Sequence, residues 1–186
     1  MPKIAEIEGT PNPNALKFVL KEPLTWGIKH SYDNPEEAKD DPLAAALFDI
    51  GHVTNVFYID HWLTVTQDGG ADWQELTRMI AEPLRAAPAA NAQTAATVAA
   101  ATTAIADLSP DDQQRLDMIN ALLDEHIRPY LRGDGGDLYV IGLEGNRLAV
   151  HYQGACGSCP SSISGTLQGI ENLVKSIEPD IEVFAV

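Results

Sequence analysis

The chain has 186 residues, of which 45% are hydrophobic and 21% are charged, and its formal net charge is −15 at pH 7. This balance is typical of a folded globular protein and leaves room for two small domains or one of medium size. An acidic surface repels phosphate groups, and no apolar stretch approaches the ~18 residues of a membrane span, so we expect neither nucleic acid nor a membrane as partner.

The first 85 residues predict a small α+β domain. An apolar segment at 15–20 and two β-rich segments at 53–59 and 62–66 predict strands, the last two forming a hairpin across Asp60 and His61. Helices are predicted from Pro42 to Ile50 and from about Asp72 to Arg85. This domain contains no cysteine.

A change in composition follows at residue 86. Residues 86–106 contain 12 alanines and 4 threonines, without a charge or a glycine. Alanine favours helix, but this stretch has no apolar stripe to bury and no ion pairs to support one. We therefore predict an Ala/Thr-rich linker over 86–108, which separates a domain at 1–85 from a second domain at 109–186.

The second domain is predicted to be α+β as well, with the order α-β-β-α-β. Ser109-Pro110-Asp111-Asp112 is typical of a helix start, and apolar residues at 116, 119, 123, 127 and 130 give one buried face as far as residue 133. Strands are predicted at 138–143 and 147–153. A second helix begins at residue 160 with a stripe that runs to 177, and a last strand covers 181–186.

The most informative segment lies in the loop before that second helix. The chain has two cysteines, Cys156 and Cys159, both in the run Gly154-Ala-Cys-Gly-Ser-Cys-Pro-Ser-Ser162. The glycines leave space for a bulky ligand, and the predicted helix start favours thiolates. Two sulfurs cannot fill the four-thiolate shell of an iron–sulfur cluster. If such a cluster binds here, its other ligands must come from a second chain or another donor.

Three further interpretations compete with cluster ligation. A redox dithiol uses the same Cys-x-x-Cys pair, and on spacing alone it is level with cluster ligation. A structural zinc site needs four ligands, and the histidines are scattered singly at 30, 52, 61, 126 and 151. Two incidental buried cysteines fit poorly with a surround so rich in glycine and serine.

The amino terminus bears on location. Residues 1–8 lack the hydrophobic core of a signal peptide and are too acidic for a transit peptide. We expect a cytoplasmic protein with reduced thiols.

A family resemblance separates the alternatives. The segments GDGGDL at 133–138, LAVHYQGACGSCPSS at 148–162 and TLQGIE at 166–171 closely resemble the C-terminal domain of NifU and the Nfu proteins. The segments TPNPNALKF at 10–18, DPLA at 41–44 and GHVTNVF at 51–57 resemble the Nfu N-terminal domain.

This resemblance implies an iron–sulfur cluster scaffold or carrier, not an enzyme. It implies that Cys156 and Cys159 are the metal ligands and that two subunits share one 4Fe–4S cluster, although a 2Fe–2S form is chemically allowed. The implied partners are a second copy of the chain when loaded, client apoproteins and upstream assembly proteins. A thiol–disulfide oxidoreductase that uses Cys156 and Cys159 is the alternative function.

Overall fold

The computed structural model describes residues 2–88, 110–157 and 160–186, and for residues 160–164 only the backbone. The chain divides into two compact units, residues 1–101 and 102–186. Both units mix helices and sheets, so the predicted α+β class with two small domains is confirmed. No helix in the described ranges is both long and apolar enough to cross a bilayer.

The first unit is a five-stranded antiparallel sheet with its helices packed on one face. Its strands lie in the order β1-β2-β5-β4-β3, so β1 and β3 are the edges. Helix residues such as Leu47 and Ile80 pack against strand residues such as Phe18 and Leu63. In chain order the elements are β1 (Ile4–Gly9), β2 (Ala15–Leu20), β3 (Lys29–Tyr32), α1 (Pro35–Ala38), α2 (Pro42–Phe48), β4 (Val53–Ile59), β5 (Trp62–Gln67) and α3 (Trp73–Ala86).

One carboxylate connects helix α2 of this unit to its sheet. Asp41 Oδ1 accepts hydrogen bonds from the backbone N–H groups of Leu43 and Ala44, both at 3.0 Å, and so caps the helix. Asp41 Oδ2 accepts from the hydroxyls of Tyr32, at 2.9 Å, and Tyr58. Burial, reinforced by the Asp41 charge, raises the pKa of both tyrosines, which therefore remain donors.

The second unit is a three-stranded sheet covered by helices. Strand β7 lies in the middle, antiparallel to β6 and parallel to β8. Leu123 from α4, Leu148 from β7 and Ile170 from α6 are among the fully buried side chains of its core. The elements are α4 (Pro110–His126), α5 (Arg128–Gly133), β6 (Gly136–Glu144), β7 (Arg147–Gly154), α6 (Pro160–Val174) and β8 (Glu182–Ala185).

The structure corrects the expected order of this unit in one place. The helix predicted to run to residue 133 ends at His126, and a separate short helix follows from Arg128. Pro129 explains the break, because proline lacks the N–H that a continuous helix needs and its ring clashes with the preceding turn. As a result Tyr130, expected on the buried face, is 75% exposed, and Leu131 is buried instead.

Other differences concern short or terminal segments. The sequence missed β1, β3 and α1, and α6 ends at Val174, so that Ile177 lies beyond the helix and is 43% exposed. The predicted linker falls mostly outside the described residues. At its start, Ala86 belongs to α3 and Ala87 is buried. The boundaries 1–85, 86–108 and 109–186 therefore stay predictions.

A paired carboxylate gives the second unit a defined pH response. Arg115 of α4 donates from Nε and Nη2 to the two oxygens of Glu178, at 2.8 and 2.7 Å, and this contact lowers the pKa of Glu178 below its ordinary 4.5. A lowered folded-state pKa stabilises the fold above the unfolded value, and the stabilisation is lost as the pH falls through the folded-state pKa. Glu178→Gln should therefore lower the free energy of unfolding by roughly 1 kcal/mol at pH 7, and by progressively less below pH 4.5.

Urea unfolding followed by circular dichroism measures this difference. The three tryptophans all lie in the first unit, so their fluorescence provides an internal control. Glu182→Gln is the matched variant, because Glu182 forms a longer, 3.5 Å pair with Arg147 and is well exposed. If Glu178→Gln lowered the free energy of unfolding equally at pH 7 and pH 3, the ionised pair of Glu178 with Arg115 would not be the source of the stabilisation.

Candidate metal centre

Cys156 lies where the central strand of the second unit ends. Strand β7 finishes at Gly154, and two residues later the chain turns the Cys156 side chain back into the core, where it is 3% exposed. It packs in the same apolar cluster as Tyr152. Cys159 lies outside the described residues, three positions further along the chain and directly before helix α6. The structure therefore places one of the two predicted ligands.

The loop around Cys156 is shaped by glycines. Gly154 has a φ of +64°, in the left-handed region that favours glycine, and its carbonyl accepts from the Gly157 N–H at 3.1 Å. A Cβ on Gly157 would lie 3.0 Å from the Tyr152 carbonyl oxygen. These contacts define a tight turn that leads the chain back toward the start of β6.

The start of β6 packs directly against the Cys156 sulfur. Gly136 pairs with Gly154 across the two strands, and the Ala155 N–H donates to the Gly135 carbonyl at 3.1 Å. A Cβ built on Gly136 would lie 2.6 Å from Cys156 Sγ and 2.6 Å from the Gln153 carbonyl oxygen. Only glycine fits there without a shift of these atoms, so Gly136 leaves the space for the cysteine sulfur, and we call the GDGGD segment the glycine seat.

A buried ion cluster lies next to this glycine seat. Asp137 is fully buried, and its carboxylate lies 3.2 Å from Arg132 Nε and 3.8 Å from Arg128 Nε. Arg128, itself 8% exposed, also donates to the Leu138 carbonyl and to Asn120 Oδ1. A buried carboxylate paired in this way resists displacement, because removing either partner leaves a charge without compensation.

Sequence reasoning missed the role of this ion cluster. The sequence pattern predicts no role for Asp137 or Arg128. The Arg128-Pro129 pair was the available signal, since proline forces a helix break that directs the arginine toward β6.

Tyr152 supplies a second polar group on the cysteine side of the sheet. It is 5% exposed, and its hydroxyl is buried with no hydrogen-bond partner in the described ranges. Burial, and secondarily the electrostatic influence of Cys156, raises the pKa of this hydroxyl. It therefore stays protonated and can donate.

The remaining candidates do not gather around the cysteine. His151 is half-buried and its Nδ1 lies 2.8 Å from the Val186 carbonyl oxygen. Across residues 2–88, 110–157 and 160–186, no group of three or more histidine, cysteine or carboxylate side chains could hold a metal ion. What the described part of the site offers is one soft sulfur ligand, a hydroxyl donor and a glycine seat.

Comparison with known proteins defines the family. Residues 4–90 match the family described as "Scaffold protein Nfu/NifU N terminal", and residues 119–184 match "NifU-like domain". A human relative named "NFU1 iron-sulfur cluster scaffold homolog, mitochondrial" is 33% identical over 183 residues, covering 95% of this chain and 69% of the relative. The chain therefore belongs to the Nfu family, and the resemblance seen in the sequence is confirmed.

Relatives in insects and two solved structures complete the comparison. The Drosophila ananassae protein of the same name is 32% identical, and this chain spans 62% of its length. A yeast NifU-like protein solved by NMR is 27% identical over 42% of this chain and 72% of its own, with a TM-score of 0.39. A Staphylococcus aureus crystal structure is 20% identical over 44% of this chain and 96% of its own, with a TM-score of 0.38.

The close approach of Gly136 to Cys156 predicts a sharp mutational effect. Gly136→Ala must displace the sulfur or the Gln153 carbonyl, and should destabilise the second unit by about 1–3 kcal/mol, as overpacking does. In a Cys159→Ser background it should also speed the reaction of Cys156 with a thiol reagent. Urea unfolding by circular dichroism and the rate of thiol labelling measure the two effects.

Gly142→Ala is the matched control for that experiment. Gly142 lies in the same strand, and a Cβ there meets nothing within 4 Å. If both alanine variants behaved alike, the packing of Gly136 on Cys156 would not constrain the site.

Proposed function

We propose that this protein is an iron–sulfur cluster scaffold that holds its cargo through Cys156 and Cys159. The observation that carries the proposal is the position of Cys156. It lies on a glycine-lined loop seated against β6, immediately before the start of α6, in a chain of the Nfu family. The name of the human relative, a cluster scaffold, supports the same function.

The cargo we propose is one 4Fe–4S cluster shared by two copies of the chain. Each chain has two cysteines, and a cubane bound only by thiolates needs four. Two copies therefore complete the shell, and binding of the cluster and pairing of the chains occur together. A 2Fe–2S cluster held by the same four thiolates is the chemical alternative.

Transfer follows from ligand exchange without a redox step. A client cysteine loses its proton, binds an iron as thiolate and displaces Cys156 or Cys159, which is reprotonated. Repeating the exchange moves the intact cluster to the client. Because Cys156 is 3% exposed, its sulfur must become accessible before the cluster can bind or leave. The partners are a second copy, an upstream assembly protein and client apoproteins, and the protein performs no catalytic turnover of its own.

Location stays a separate prediction. We expect a cytoplasmic protein, whereas the relatives are named mitochondrial. Fractionation of cells that express the chain with its native amino terminus decides between the two compartments.

The stoichiometry of the loaded protein tests the proposal. After anaerobic reconstitution we expect about two irons and two sulfides per chain, a brown colour and the mass of a dimer in analytical ultracentrifugation. Cys156→Ser and Cys159→Ser should each abolish the colour and the cluster-dependent dimer. As a control, a tagged double-serine chain mixed with wild type should not be recovered in loaded dimers. A complete cubane on a single chain with no added thiol would contradict the sharing.

The same metal-free and reconstituted proteins also test the alternative function, a thiol–disulfide oxidoreductase. A thiol–disulfide oxidoreductase needs an accessible attacking thiolate, and Cys156 is buried. We expect slow reduction of a disulfide substrate by the metal-free protein. A colourless wild type with efficient dithiol turnover would favour the oxidoreductase.

A further inference from the structure

The Tyr152 side chain shares the interior of the second unit with the candidate ligand. Residues two apart along a strand lie on the same face, and Leu148, Val150 and Tyr152 alternate along β7 as buried core residues. The turn after Gly154 returns Cys156 to that same core. Tyr152 also contacts the loop through its backbone, since its carbonyl lies against Gly157.

The Tyr152 hydroxyl lowers the stability of the metal-free fold. Within the described part of the chain it is fully shielded from solvent and has no hydrogen-bond partner. A buried hydroxyl left in this condition destabilises a fold, and phenylalanine would fill the same space without that cost. A buried polar group of this kind calls for an explanation in terms of a missing partner.

The polarity of the group indicates the kind of partner. A protonated phenol donates a hydrogen bond, and a ligating thiolate accepts one. The neighbouring Gln153 also has a buried oxygen, Oε1, that no described residue hydrogen-bonds, but that atom is an acceptor and repels sulfur of the same polarity. Asp137 is already engaged by Arg132. Of the two buried side-chain oxygens of Tyr152 and Gln153, only the Tyr152 hydroxyl can donate.

We propose that Tyr152 is a positioning residue for the cargo, whose hydroxyl donates a hydrogen bond to the sulfur of Cys156 once that sulfur ligates iron. This inference rests on the proposed function and deepens it. The hydrogen bond spreads the negative charge of the thiolate, which stabilises the reduced cluster and slows the exchange of that ligand. Tyr152 therefore controls how slowly the bound cluster is released.

The change Tyr152→Phe tests this role with opposite effects on the two forms. In the metal-free protein the variant should unfold at the same or a higher urea concentration, because a hydroxyl without a partner is removed. In the reconstituted protein the cluster should be lost to an iron chelator roughly fivefold faster, the equivalent of one hydrogen bond. The reduction potential should become more negative, since hydrogen bonds to sulfur raise it.

Tyr139→Phe is the matched control. Tyr139 lies on the neighbouring strand opposite His151, one residue from the Leu138–Tyr152 pair and therefore on the other face of the sheet. Its variant should keep the chelation rate and potential of wild type. If Tyr152→Phe matched wild type in both quantities, the inference would be overturned. If wild type itself failed to load in a cysteine-dependent way, the proposed function would fail instead.

A measurement on wild type covers the case in which Tyr152→Phe folds poorly. Isotope-edited infrared difference spectra of tyrosine-labelled protein should show one C–O stretch that shifts when the cluster binds, and the shift should persist in Tyr139→Phe. Loading without any shifted tyrosine band would overturn the hydrogen bond.

Discussion

The missing side chain at Gly136 is the constraint on which the candidate site depends. Strand β6 begins so close to Cys156 that one added carbon would lie 2.6 Å from its sulfur. Gly136 also pairs with Gly154, so the start of β6 lies beside the end of β7, two residues before the cysteine. The packing of the Cys156 sulfur is therefore coupled to the pairing of these two strands. The apolar core of the second unit then supports the sheet from one side.

Electrostatics supports the same segment. The chain carries a net charge of −15, but the buried carboxylate of Asp137, the residue after Gly136, has two cations beside it. These are the side chains of Arg128 and Arg132. These arginines come from α5, the short helix created by the break at Pro129. The break therefore positions the cations that compensate Asp137. A continuous helix would have kept the apolar stripe intact but would have directed these side chains elsewhere.

The site is a compromise between stability and exchange. Cys156 is shielded in the interior, the Tyr152 hydroxyl has no hydrogen-bond partner among the described residues, and the two cysteines of the chain are half the number that a four-thiolate shell needs. In the cluster scaffold that we propose, the sulfur of the cluster-bound cysteine would give the hydroxyl a partner, and a second copy would complete the shell. Under that proposal the site is completed only when the cluster binds.

The sequence by itself determined the fold class, the family and the cysteine motif, because periodicity, cap residues and a specific motif are local signals. Helix α2 and the hairpin β4–β5 were predicted for this reason. It missed β1 and β3, since edge strands with mixed polarity are stabilised by pairing with distant segments. Only the tertiary structure brought Gly136 against Cys156 and buried the Tyr152 hydroxyl where no described residue hydrogen-bonds to it. Contacts between residues far apart in the chain decide both, and no local pattern records them.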